Sequence, residues 1–185
     1  MFRLFVAISL PELVTDQLMS LCGGLPGARW IEPKNMHLSL RFIGEVDGGV
    51  FEDVRGSLAE VSAPVFSLSL KGTGFFPPKQ QPKTLWVGID KNEALKILRN
   101  RVESTLAKTG LPRDARKFAP HVALARLSDS PVQRVANWLS ANALFRTDAF
   151  PVSSFYLYSS TLTNHGADYQ IEQEYFLNGS GKPIV

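Results

Sequence analysis

Two histidines head nearly matching tetrapeptides, His37-Leu38-Ser39-Leu40 and His121-Val122-Ala123-Leu124. An imidazole exchanges its proton near neutral pH, so two of them facing one substrate can serve as acid and base. Both tetrapeptides alternate polar or small residues with branched apolar ones, the pattern of a half-buried strand. Side chains two apart on a strand share a face. His37 and Ser39 therefore project to one side while Leu38 and Leu40 anchor the other in the core. His121 and Ala123 repeat the arrangement 84 positions later. Strands brought face to face would direct both rings into one cleft.

A histidine pair suits in-line displacement at phosphorus. One ring takes a proton from water, the other supplies one to the leaving oxygen, and hydrogen-bond donors hold the charged phosphoryl oxygens. Each well-placed acid or base contributes about 10²–10⁴-fold. The Ser39 hydroxyl is one such donor. Arg126, five positions after His121, is the best candidate for a cation, because a guanidinium fits phosphate bidentately. On an uninterrupted strand that odd offset places Arg126 on the face opposite His121, so the strand must twist, bulge or end before it. Lys34 and Arg41 bracket the first motif and read as solvated surface charges.

The elements that must position these residues form two related halves. Arg3 to Leu10 reads as a strand, and Pro11 opens a helix that Gly23-Gly24 ends. The His37 strand, a helix from about Val50 to Val61 and a strand through Phe66 to Leu70 follow. The second half repeats the order. Leu85 to Ile89 is a strand, Glu93 to Lys108 a helix, and then come the His121 strand, a helix from Val132 to Leu139 and a strand through Phe155 to Leu162. A final strand, Tyr169 to Leu177, pairs with its predecessor across Thr163-Asn164-His165-Gly166-Ala167. Val6 precedes His37 by 31 residues and Val87 precedes His121 by 34, which supports an internal duplication. The prolines and glycines of Gly72 to Lys83 read as a loop between the halves, with Phe75 tucked into the core and Phe76 and Lys79 able to border the groove. The expected fold is α+β, with two pseudo-symmetric lobes of mainly antiparallel sheet, helices packed outside and a groove between. Residues 1–185 make a single domain, with lobe one about 1–75 and lobe two about 84–185, and termini able to exchange between lobes.

The 185 residues, 44% hydrophobic and 20% charged, describe an ordinary globular chain, not a fibre, a disordered segment or a membrane protein. The early apolar run Leu4 to Leu10 is too short to span a bilayer and lacks the flanks of a secretory leader. Cys22 is alone, which rules out an internal disulfide and fits a reducing compartment, so a cytoplasmic location is expected. A net charge of +3, with no run of Lys or Arg, is compatible with a phosphate-bearing partner without demanding one. No close His/Cys/Asp/Glu set has metal-ligand spacing, and neither a Gly-x-Ser-x-Gly elbow nor a glycine-rich triphosphate loop occurs, so no metal or cofactor is expected. His165, in an Asn-His-Gly turn, reads as non-functional. Trp30, Trp86 and Phe118 fit core or groove-wall roles equally, as do Tyr156 and Tyr158.

The words around the two motifs go further. Trp30-Ile31-Glu32-Pro33-Lys34-Asn35-Met36 precedes His37, and Arg41-Phe42-Ile43-Gly44-Glu45-Val46 follows the first tetrapeptide. Lys117-Phe118-Ala119-Pro120 precedes His121, and Ala125-Arg126-Leu127 follows the second. With the Phe2-Arg3-Leu4-Phe5-Val6-Ala7 opening and the Tyr175-Phe176-Leu177 close, the chain resembles the 2H phosphoesterase superfamily, and within it the RNA 2′,3′-cyclic phosphodiesterases, also called 2′-5′ RNA ligases. The resemblance implies the same two-lobed architecture and the hydrolysis of RNA 2′,3′-cyclic phosphate ends, tRNA fragments among them, to 2′-phosphomonoesters. It assigns His37 as proton donor to the leaving oxygen and His121 as proton acceptor from water, and it implies ATP-independent 2′-5′ ligation as a secondary activity. The second motif of the family usually carries Thr or Ser where this chain has Ala123, so one phosphate donor is missing. A monomer without a membrane partner is expected. Two alternatives stay open: an RNA-end binding protein with attenuated catalysis, and a phosphodiesterase for small cyclic nucleotides.

Overall fold

The computed structural model describes residues 1–77, 80–164 and 166–178. Its central strand, β1 (Phe2–Ser9), shows how alternation divides the molecule. Leu4, Val6 and Ile8 are at most 1% exposed and join the main hydrophobic core. Phe5, Ala7 and Ser9 look the opposite way. The remaining strands are β2 (Ala28–Trp30), β3 (His37–Val46), β4 (Phe66–Leu68), β5 (Leu70–Phe76), β6 (Thr84–Ile89), β7 (His121–Leu127), β8 (Phe150–Val152), β9 (Ser154–Thr163) and β10 (Gly166–Phe176). Among the described residues four α-helices accompany the strands: α1 (Glu12–Met19), α2 (Gly48–Leu58), α3 (Glu93–Lys108) and α4 (Val132–Ala141). Asp47 caps α2 through the Val50 amide and Asn92 caps α3 through the Leu95 amide, the usual use of short oxygen-bearing side chains at helix starts.

One antiparallel sheet runs in the order β10-β9-β1-β3-β7-β6-β5, with β2 added to β7, and β4 pairs β8 separately. The architecture is therefore α+β with a mainly antiparallel sheet. Each end of the large sheet holds strands from both halves of the chain: β9 and β10 lie on β1, and β5 lies on β6. The two motif strands meet at its centre, where Leu38 pairs with Val122. In the equivalent positions Ile8 pairs with Leu38 and Val87 with Val122, so the duplication aligns Val87 with Ile8 and not with Val6.

Three expectations need correction. Gly72 to Phe76 is not a loop but most of strand β5, paired to β6. Its glycines serve the strand. Gly72 takes a left-handed φ of +70° at a register break, and at Gly74 a Cβ would sit 2.3 Å from the Trp86 ring. The first helix ends at Met19, before Gly23-Gly24, and the second at Leu58, before Val61. Arg41 is no surface charge. It is 7% exposed, 3.1 Å from the 3%-exposed Glu103 of α3, and bonded to the Pro112 carbonyl. Asp114, whose carboxyl the bonded Arg116 guanidinium holds down at about 2, completes this cluster 3.9 Å from Arg41. Lys34 does sit at the surface, near Glu32 and Asp168. His165 and Lys79 lie outside the described residues.

Candidate active site

Both histidine rings are fixed by the same local device. His37 Nδ1 lies 2.7 Å from the Asn35 carbonyl, and His121 Nδ1 lies 2.7 Å from the Ala119 carbonyl. A carbonyl only accepts, so each Nδ1 carries the proton and donates, and each Nε2 is left for solvent or substrate. Proline takes part on both sides. Pro33 opens the 3₁₀ turn Pro33–Asn35 before His37, and Pro120 immediately precedes His121.

A second shared device directs the residues that follow. Ser39 and Arg41 of β3 face Ala7 and Val6 of β1, so Leu40 is an extra residue in the ladder. Ala123 and Ala125 of β7 face Trp86 and Leu85 of β6, so Leu124 is the extra one there. Such a bulge reverses the inside–outside alternation. Leu40 and Arg41 are both buried, and Leu124 and Ala125 likewise, after which Phe42 and Arg126 emerge on the face of the histidines. The odd offset of Arg126 is thereby resolved. Phe42 stands at the same five-residue distance from His37, a signal available in the sequence and not used.

His37, Ser39, Phe42, His121, Ala123 and Arg126 together line one groove of about 990 Å³. Continuing the antiparallel Leu38–Val122 register by one residue sets Ser39 beside His121 and Ala123 beside His37. The wall around His37 is aromatic: ring centroids lie 4.8 Å away at Phe5 and 5.3 Å at Tyr169, the latter edge-on. Phe76 meets His121 edge-on at 4.7 Å, and Trp86 lies 6.2 Å from it. Phe75 packs partly buried against the core. Arg3, Arg29 and Lys34 extend the lining with positive charge, countered by Glu32 and Asp168. Phe5, Tyr169 and Arg3 were not legible as site residues, because strand pairing over long separations brings them there.

The electrostatics disfavour the charged form of both rings. Burial pulls His37 below its ordinary value. The Asn35 carbonyl opposes the shift, and the positive charges of His121 and Arg126 reinforce it. His121 is lowered by burial and by Arg126, against the pull of the Ala119 carbonyl. The Arg126 guanidinium thus acts on both rings. Among the described residues no group of three or more His, Cys, Asp or Glu is placed to hold a metal ion, and no helix is long and apolar enough to cross a membrane.

Comparison with known proteins decides the family. The model of the 2′-5′ RNA ligase superfamily matches residues 26–164. The chain belongs to that superfamily. An RNA 2′,3′-cyclic phosphodiesterase of Thermotoga maritima is 32% identical over 180 residues, covering 93% of this chain and 94% of the relative. One from Aquifex aeolicus is 30% identical over 155 residues, covering 82% of each. Among solved structures, the apo form of E. coli LigT superposes with a TM-score of 0.75 at 26% identity, covering 95% of this chain and 97% of its own. The 2H phosphoesterase resemblance read from the two motifs thus holds, and so does the fold it implied.

Proposed function

We propose that this member of the superfamily hydrolyses the 2′,3′-cyclic phosphate at an RNA 3′ end to a 2′-phosphomonoester. The observation that carries this reading is the pair of half-buried imidazoles, each held through Nδ1 by a backbone carbonyl, that line one groove. His121 takes the proton of the attacking water. His37 gives a proton to the departing 3′ oxygen. Ser39 and Arg126 donate to the non-bridging oxygens, stabilising the charge that builds at phosphorus. Burial, His121 and Arg126 disfavour the charged form of His37, and the negative charge of a bound phosphodiester opposes them, favouring the protonated acid. With a 5′ hydroxyl in place of water as the nucleophile, the same displacement would join a cyclic end in a 2′-5′ bond, an outcome that dilute aqueous solution disfavours because water competes.

A chain, such as a tRNA fragment, suits the groove better than a mononucleotide. Its lining continues past the reacting groups through Arg3, Arg29 and Lys34, and Phe42 and Phe76 offer faces or edges to bases. The test is product analysis with an RNA ending in a 2′,3′-cyclic phosphate. A 2′-phosphate product, retained in chelator and reduced at least a hundredfold in His37→Ala and in His121→Ala, supports the proposal. Full activity in the double variant refutes it. Binding of the cyclic end without turnover would instead favour the attenuated reading that Ala123 suggests.

A further inference from the structure

We propose that Thr84 is a positioning residue for this reaction, holding the Arg126 guanidinium over the site where the phosphoryl group sits. Thr84 on β6 pairs directly with Arg126 on β7, and its Oγ1 accepts a hydrogen bond from Arg126 Nη1 at 2.9 Å. The threonine is 4% exposed. A hydroxyl buried to that degree is costly without a partner, and the guanidinium is the partner it has. Among the described residues no other side chain hydrogen-bonds Arg126. An arginine carries large rotamer freedom, so one fixed acceptor decides how much of the time its remaining donors face the groove.

The duplication shows that this pair is not imposed by the fold. The equivalent cross-strand pair at the other end of the sheet is Phe5 and Phe42. Where one half presents two phenyl rings, the other presents a hydroxyl and a cation. The substitution matters most in this chain because Ala123 supplies no donor, leaving Arg126 as the fixed donor contributed by β7.

The inference rests on the proposed hydrolysis, and its test separates the two. Thr84→Val removes the hydroxyl at nearly constant volume, and Thr84→Ser keeps it; Thr84→Ala is a second hydroxyl-free variant should valine fail to fold. The first readout needs no substrate: NMR titration of the His37 and His121 rings, assigned from the single histidine variants. The other titratable or charged groups, namely Tyr158 beside His37 and Tyr169, Arg3, Arg29, Glu32, Lys34 and Asp168 in the groove, are the same in every variant. A released Arg126 acts less on both rings, so both titrate at higher pH in Thr84→Val and return in Thr84→Ser. The second readout is kcat/KM on a 2′,3′-cyclic mononucleotide, expected to fall about tenfold in Thr84→Val, to recover in Thr84→Ser, and to fall no further when Thr84→Val is added to Arg126→Ala. Unchanged ring titration in Thr84→Val, or a loss that persists in the Arg126→Ala background, overturns the role of Thr84. Shifted titration in Thr84→Val, together with a wild-type protein that hydrolyses nothing, upholds the hold of Thr84 on Arg126 and removes the reaction instead.

Discussion

Replacing Ala123 by serine should raise activity. Ala123 lines the groove two residues beyond His121, the offset that separates Ser39 from His37, and it is half-buried opposite Trp86. A serine there adds one oxygen and requires no change of backbone. A hydrogen bond to a charged group contributes roughly 1.5–3 kcal/mol. Felt in the transition state alone, that is roughly tenfold to a hundredfold or more in kcat. Felt equally by bound substrate, it lowers KM and leaves kcat unchanged. Steady-state kinetics on a cyclic-phosphate oligonucleotide distinguish these cases. Ser39→Ala is the control and should lose a similar factor. If Ser39→Ala is costly while Ala123→Ser changes neither constant, the two motif positions do not play matching roles, and the claim that the site lacks one donor is wrong.

The lowered values of both histidines give two expectations with pH. Between the folded values and the ordinary value near 6.5 the unfolded chain binds more protons, so stability rises with pH across that window and falls as acid charges the rings; a series of urea denaturations checks it. The kcat/KM optimum should lie on the acid side, with the alkaline limb of kcat displaced upward because bound phosphate favours charged His37, and coincident limbs would count against the proposed acid. Arg41→Met removes one partner of the Arg41–Glu103 pair, and at 3% exposure Glu103 then keeps, among the described residues, the Arg99 guanidinium 3.5 Å away and the Asp114 amide. A loss of about 3 kcal/mol, roughly 6–12 °C in Tm, is expected by calorimetry, and a change below 1 °C would show the pair is not structurally important.

Much of this molecule could be read from alternation and spacing. Helix α3 has the bounds that Leu95, Leu98, Val102 and Leu106 set by their period, and His37-x-Ser39 and His121-x-Ala123 form strands as their patterns require. What escaped notice were departures from strict period. Glycines at 72 and 74 read as breakers, yet one permits a bulge and the other the approach of an indole. Arg41 reads as exposed because arginines are, whereas the bulge at Leu40 rotates it into the helix layer, where Glu103 waits on the inner side of α3. The aromatic wall of Phe5 and Tyr169 depends on pairing β1 with β9, more than 140 residues away, and β9 with β10, which no local pattern encodes.

The exchange of strands has a mechanical meaning. Because β9 and β10 are braced on β1 while β5 is braced on β6, the polypeptide passes back and forth across the midline of the sheet. Widening the crevice would drag those crossings along with it. The gap between the imidazoles is thus governed by chain connectivity as well as by the slender Leu38–Val122 seam, and a ligand meets a rigid vice instead of two jaws on a pivot.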